Sequence, residues 1–152
     1  MEKALNPVAI DSISQSISPV LSLLKKRLLH ADVIQSVHGI PFSHVQVLSL
    51  LVDTGEMTIS EISVRLGMSK SNITPLVDRL IANQYVCRVK DSRDKRVVRI
   101  VLLERGKEKL RAIEKTIYAQ IMELADDITV SDFQDLADSL QNISRILSRL
   151  TE

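Results

Sequence analysis

The chain is poor in the residues that build special chemistry. Its 152 residues include one cysteine, no tryptophan, two tyrosines, two phenylalanines, four glycines and four prolines. A single cysteine, Cys87, excludes an intrachain disulfide. It lies in a β-rich run, where a small packing residue is expected rather than a reactive thiol. Phe42, Phe133, Tyr85 and Tyr118 are too few to dominate a core, so the interior must be Leu, Ile and Val. The shortage of glycine and proline leaves few tight turns and favours a mostly helical chain. No apolar run approaches the ~20 residues needed to span a bilayer, and no basic segment followed by an apolar stretch and cleavage site opens the chain. A cytoplasmic protein is the expectation. Gly-rich phosphate loops, a serine elbow and paired metal-binding cysteines are also missing, so neither an enzyme nor a bound cofactor is expected.

Composition is otherwise that of an ordinary globular chain, 45% hydrophobic and 26% charged, at a length expected to form one domain. The net charge of +1 is uninformative until it is divided along the chain. Residues 1–64 carry −2 and residues 100–152 carry −3, whereas residues 65–99 hold nine Lys/Arg against three Asp/Glu, or +6. A basic patch confined to 35 residues of a near-neutral protein is the electrostatic footprint of a polyanion site.

The segment from residue 58 to residue 103 carries that patch. Thr58 and Glu61 form a capping box that opens a helix over 59–66, with Ile59, Ile62 and Leu66 on one face and Gly67 as its stop. Ser69 caps the next helix, 70–83, which turns Ile73, Leu76, Val77 and Leu80 inward. Two helices joined by the short turn Gly67-Met68 make a helix-turn-helix. Lys70, Ser71, Asn72 and Thr74 are left to point outward near an N-terminus whose free amides favour phosphate. Pro75 is awkward at that depth; it removes a hydrogen bond to the Ser71 carbonyl and predicts a slight kink. Asn83-Gln84 ends the helix, with Asn suited to a left-handed cap. Two β-rich runs come next, Tyr85–Lys90 and Arg96–Leu102, joined by a five-residue loop, Asp91 to Lys95. Val98, Ile100 and Leu102 should pack on the helices. Arg93 and Lys95 stand at the loop tip, with Asp91 and Asp94 close enough to orient arginines. An arginine there suits the negative potential of a narrow minor groove.

The flanking segments read as long amphipathic helices. Asn6-Pro7 and Ser18-Pro19 are two candidate helix starts. The stripe Ile10, Ile13, Ile17, Leu21, Leu24, Leu28 keeps its spacing through Pro19, so either one helix kinks there or two abut. Val20, Leu23 and Leu29 broaden the stripe, and Gly39 and Pro41 stop the helix near Val37. A capping box at Ser43–Gln46 predicts a short helix over 44–52, and Asp53–Glu56 a turn with Gly55 at positive φ. Residues 104–128 form the longest helix, with Leu110, Ile113, Ile117, Ile121, Leu124 and Ile128 in line. It spans ~37 Å, more than a unit of roughly 60 residues can cover. A third capping box, Ser131–Gln134, opens a final helix to about Leu150, with Phe133, Leu136, Leu140, Ile143, Leu147 and Leu150 as its stripe. Long apolar stripes at both ends suggest a shared dimer interface.

From Pro41 to Lys107 the chain resembles the MarR (multiple antibiotic resistance regulator) family. The residues that carry the resemblance are Ile59-Ser60-Glu61-Ile62, Leu66-Gly67-Met68-Ser69-Lys70-Ser71-Asn72-Ile73-Thr74 and Leu76-Val77-Asp78-Arg79-Leu80. Above all they are Asp91-Ser92-Arg93-Asp94-Lys95-Arg96 before Leu102-Leu103-Glu104-Arg105-Gly106. With the helical ends, the resemblance covers essentially the whole chain. The expected fold is mostly α: a winged helix-turn-helix over 41–103 with a three-element β wing, and a helical dimerisation region from residues 1–40 and 104–152.

The resemblance implies a homodimeric regulator of transcription on double-stranded DNA. The leading reading is a repressor on a palindromic operator, with activation the alternative, since operator position decides between them. Ser69, Lys70, Ser71, Asn72, Thr74 and Arg79 would serve the recognition helix in the major groove. Arg93, Lys95 and Arg96 would serve the wing in the minor groove, with Asp91 steadying the arginines. It also implies a small, often aromatic or phenolic, effector between the winged helix and the dimer helices, although the scarcity of aromatics makes a stacking pocket less obvious. Two departures stand out. Leu103 replaces the usual Thr cap of the long helix, a loss of ~1 kcal/mol, and the usual Gly near Asn83-Gln84 is missing. Some relatives sense oxidants through a cysteine near the N-terminus; none stands there, so no thiol switch of that type is expected.

Two other readings compete. A winged helix serving only protein–protein contacts or dimerisation would lack basic and small polar residues on the outer face of its second helix, and Lys70, Ser71 and Asn72 oppose it. His30, His38 and His44, with Asp32, could in principle bind zinc, but spacings of eight and six residues match no ordinary ligand pattern; surface or cap histidines are expected.

Overall fold

The computed structural model describes residues 6–149 and contains seven α-helices and one two-stranded sheet among them. Helix α1 (Pro7–Leu24) starts where Asn6 Oδ1 accepts the Val8 N–H at 3.0 Å. It runs unbroken through Pro19, so Ser18-Pro19 starts nothing. The break comes later: the turn Lys25–Leu29 is π-helical, and His30 sits at φ 34° with its Nε2 3.1 Å from the Arg27 carbonyl oxygen. That break resets the apolar stripe. Leu24, Leu28 and Leu29 meet the distal half of a later helix, while Ile34 of α2 (Ala31–His38) turns into the core and is fully buried. Gly39, at φ 71°, ends α2 as expected.

Helix α3 (Phe42–Thr54) begins two residues before the capping box at Ser43 allows, with Pro41 at the cap position. The proline ring pre-sets an extended entry, and starting there lets Phe42 pack against the core. Ser43 therefore lies inside the first turn, beside His44 Nδ1 at 3.4 Å. His44 is buried, against the expectation of a surface or cap position. Gly55 takes φ 81° and leads to α4 (Ile59–Leu66). Its capping box forms as read: the Glu61 N–H donates to Thr58 Oγ1, and the Thr58 N–H to Glu61 Oε2 at 2.6 Å. Gly67 at φ 62° stops it.

Helix α5 (Lys70–Ala82) is capped by Ser69 and continues through Pro75. Its exit differs from the sequence reading. Asn83 has φ −86° and the left-handed residue is Gln84, at φ 60°. The N–H groups of Gln84 and Tyr85 donate back to the Ile81 and Leu80 carbonyls, which is the Schellman pairing and needs its positive φ one residue past the cap.

Strands β1 (Val86–Lys90) and β2 (Val98–Leu102) pair antiparallel, Val86 opposite Leu102 and Lys90 opposite Val98. The wing has two strands, not three elements; the third shrinks to a single-residue bridge between Met57 and Ile100, hemmed in by Gly55 and the cap Thr58. Ile100 is buried and Leu102 half-buried against the core, but Val98, farther out on the hairpin, is 40% exposed. Helix α6 (Glu104–Asp126) starts at Leu103 without a side-chain cap, and it stops before Ile128. Its entry depends on Gly106, where a Cβ would collide with the Tyr85 carbonyl oxygen. Helix α7 (Val130–Ser148) is capped by Thr129, not Ser131: the Asp132 N–H donates to Thr129 Oγ1 at 3.1 Å, and that hydroxyl donates to the Asp132 carboxylate. The overlapping pattern two residues upstream captured the helix start. Leu150, expected in the last stripe, lies outside the described residues.

The core lies between α2, α3, α4, α5, the hairpin and the first half of α6, around Ile34, Leu48, Ile62, Ile73, Ile100 and Ile113. Neither α1 nor α7 has a buried residue. Ile13, Ile17, Leu21, Ile143 and Leu147 are all 46–65% exposed.

This packing sets two expected outcomes. A non-glycine residue in the left-handed region costs ~1–2 kcal/mol, so Gln84→Gly should raise the denaturation midpoint, while the β-branched Gln84→Val should lower it. Burial first, then the Arg79 charge, lowers the His44 pKa below 6.5, and burial with Lys109 does the same for His38. The unfolded chain then takes up protons that the folded chain resists. The stability from these neutral histidines is complete above pH 6.5 and lost as pH falls through their lowered values. Denaturant titrations at about pH 7.5 and 5.5 should show the lower midpoint in acid, and His44→Gln should reduce the difference.

Candidate nucleic-acid interface

The residues singled out in the sequence divide into two clusters and one outlier. The first cluster is the start of α5. Ser69 serves as the cap, accepting the Asn72 N–H at 3.3 Å, and its hydroxyl lies 2.8 Å from that of Ser71. Thr74 turns its hydroxyl back to the Lys70 carbonyl at 2.8 Å, so it presents mainly its methyl group. Lys70 and Asn72 are exposed, and among the described residues neither side chain has a hydrogen-bond or ion-pair partner. A free amide and a free ammonium beside open helix amides suit a base edge and a phosphate respectively.

The outlier is Arg79. It is exposed, but it stands nine residues after Lys70, ~14 Å along the axis, and its charge is felt by buried His44. The structure therefore does not bring it to the Lys70–Asn72 cluster. Neighbouring Asp78 is held by Arg88 of β1 at 2.7 Å, which ties the hairpin to the outer face of α5.

The second cluster is the wing loop, residues 91–97, longer than the five residues expected. Both aspartates fold it. Asp91 Oδ1 accepts the N–H groups of Arg93 at 2.8 Å and Asp94 at 3.2 Å, and Asp94 Oδ1 accepts the Arg96 N–H at 3.0 Å. These side-chain turns compete with the ladder and shorten the strands. Arg93 and Lys95 are exposed at the tip with no ion-pair partner among the described residues. Arg96 pairs with Asp94 at 3.2 Å but remains 91% exposed, a weak bond that a phosphate can replace.

Asp91 steadies the loop differently from the sequence expectation. It holds the backbone of Arg93, while its ion pair goes to Arg99, Nε to Oδ2 at 2.7 Å. Arg99 was not singled out in the sequence. Its signal was faint: one cation in the otherwise apolar strand Val98–Leu102, facing away from Ile100. Bonding by Arg99, then by the Arg93 and Asp94 amides, lowers the Asp91 pKa to about 2. The carboxylate is therefore fully ionised at neutral pH.

The three histidines do not assemble. His30 and His38 lean on the Arg27 carbonyl and on Thr116 Oγ1, and His44 lies beside Ser43. Among the described residues no group of three or more His, Cys, Asp or Glu is placed to hold a metal ion. Among them, too, no helix is long and apolar enough to cross a membrane.

Comparison with known proteins agrees with this geometry. The MarR family model matches residues 38–97. The uncharacterized HTH-type transcriptional regulator YsmB of Bacillus subtilis is 31% identical over 102 residues, covering 67% of this chain and 70% of the relative. The HTH-type transcriptional regulator SarZ of Staphylococcus epidermidis is 28% identical over 108 residues, 69% of this chain and 70% of the relative. Among solved structures, a MarR family protein from Bacillus stearothermophilus superposes with TM-score 0.74 at 23% identity, covering 95% of this chain and 99% of that one. The apo form of MarR from E. coli does so with TM-score 0.74 at 20% identity, over 86% and 95%. The chain belongs to the MarR family of winged helix-turn-helix, DNA-binding transcriptional regulators.

Proposed function

We propose that the chain acts as a homodimeric repressor on a palindromic operator, each subunit placing the start of α5 in a major groove and its wing tip in the flanking minor groove. The observation that carries this is the distribution of partners among the charges. Asp78, Asp91 and Asp94 are each occupied by Arg88, Arg99 and Arg96, whereas Lys70, Arg93 and Lys95 are left exposed without acids among the described residues. A surface whose acids are neutralised internally and whose cations point outward attracts a polyanion. Asn72 would read a base edge, Ser71 would contribute a smaller polar contact, and Ser69 would act as the cap that orients both. Lys70, Arg93, Lys95 and Arg96 would meet phosphates or the minor groove, and Arg79 a phosphate at the far end of α5.

The dimer is supported by the apolar faces of α1 and α7: neither helix has a buried residue, and Ile13, Ile17, Ile143 and Leu147 stay about half exposed in one chain. It would set two α5 helices about one DNA turn apart, ~34 Å. A crevice of about 430 Å³ lined by Leu29, Phe42, Val45, Leu66, Ile113 and Ile117 supports a small-molecule effector. Its size falls within the ~300–1,000 Å³ range of ligand sites. It lies between the winged helix and the helical ends, so an occupant would act on the spacing of the two reading heads.

Titrations on the DNA upstream of its own gene, with base-substituted competitors, test the assignments. Arg93→Ala should weaken binding to every sequence and reduce the slope of log K against log salt by ~0.9 for each phosphate contact given up. Asn72→Ala should leave non-specific affinity unchanged and narrow the gap between operator and competitor by ~1–3 kcal/mol per lost base contact. Wild-type behaviour of both variants would refute the roles given to them.

A further inference from the structure

We infer that Arg99, a residue the fold turns away from the free cations of the wing tip, is a positioning residue that locks the wing to the first helix of the helix-turn-helix and so determines what Arg93 contributes on DNA. This rests on the DNA-binding reading above. Three carboxylates from three places surround its guanidinium. Asp91 comes from the wing loop at 2.7 Å, Glu56 from the turn before α4 at 3.6 Å, and Glu61 from the first turn of α4 at 3.7 Å. Two of the acids have second duties. Asp91 fixes the Arg93 and Asp94 amides, and Glu61 closes the α4 capping box on the Thr58 N–H. One planar cation therefore joins the loop that presents Arg93 to the helix that supports α5.

The three arms are unequal. Arg99 and Asp91 are 27% and 16% exposed, with a short hydrogen bond, so their pair is strong. Glu56 and Glu61 are 57% and 51% exposed and more distant; singly they contribute little. Their effect emerges when the cation is removed. Three carboxylates would then face one another across the seam between wing and α4, and mutual repulsion would drive the wing outward. The other attachments, the Met57–Ile100 backbone bridge and the Arg88–Asp78 pair to α5, hold the hairpin midway along its strands and leave its tip free. Lysine keeps the charge but lacks the fork that engages separate acids.

The test combines amide exchange without DNA and a double-mutant cycle with it, on the full chain. In Arg99→Met the Arg93 and Asp94 amides should exchange at least tenfold faster, with the α5 amides unchanged. Arg99→Lys should fall between Met and wild type. Glu61→Gln, which keeps the cap acceptor, should have a small effect. On DNA, Arg99→Met should reduce affinity about as much as Arg93→Ala does, and the double variant should lose little more than either. Strictly additive losses, or unchanged exchange at Arg93 and Asp94, would overturn the inference. An exchange effect together with no saturable DNA binding by the wild-type chain would leave the lock standing and refute the DNA-binding reading instead.

Discussion

The ion pair between Arg99 and Asp91 is the constraint on which the proposed reading surface depends. A winged helix presents two separate features, a helix start and a hairpin tip, and they form one surface only if their relation is fixed. Hydrophobic burial fixes the base of the hairpin through Ile100, but it weakens outward along the strands, where Val98 is already in water. Beyond that point only polar bonds can hold the chain. Arg88 bonds Asp78 of α5 midway along β1, and at the loop Asp91 bonds in both directions, inward to Arg99 and outward to the amides of Arg93 and Asp94. Its strongly lowered pKa reflects that concentration of donors, and keeps the clamp ionised in any neutral buffer.

Two kinds of energetics coexist in the chain. The winged helix carries its own core, with Leu48, Ile62, Ile73 and Ile113 fully buried. Close packing also dictates local choices there: Gly106 is required because the Tyr85 carbonyl lies against the start of α6, and Arg105 covers the Tyr85 ring at 5.8 Å. The ends obey a different rule. Helices α1 and α7 have no buried residue within one chain, so their apolar stripes reach their full stabilising effect only against another surface. In the proposed dimer that division separates the roles: the reading head carries its own core, and its placement would be set by elements that never touch DNA. The crevice beside Phe42 lies at the boundary between the two.

Much of this was legible in the residues, for identifiable reasons. Helices with one strong start signal, such as Thr58–Glu61 and Ser69, begin at the expected residue, because a cap hydroxyl is local chemistry, and the stop glycine Gly67 also fixes the end of the first. Where signals overlapped, the sequence was ambiguous. Pro41 competed with Ser43, Thr129 with Ser131, and in each the upstream start prevailed. The π-helical turn and the left-handed His30 had no local signature, since they serve the distant packing of Ile34 and Leu28. At the site, the outward residues of α5 and the wing tip were visible from period and charge. Arg99 was not, because its three partners lie 8, 38 and 43 residues away in sequence and converge only in the fold.

In the proposed complex the start of α5 and the wing tip form one DNA surface. Backbone amide shifts recorded during titration with an operator duplex decide whether they do. The largest changes are expected at residues 69–74 and 91–96, saturating together at one stoichiometry, with α7 unmoved. Shifts confined to α1 and α7, or two clusters that saturate independently, would contradict it.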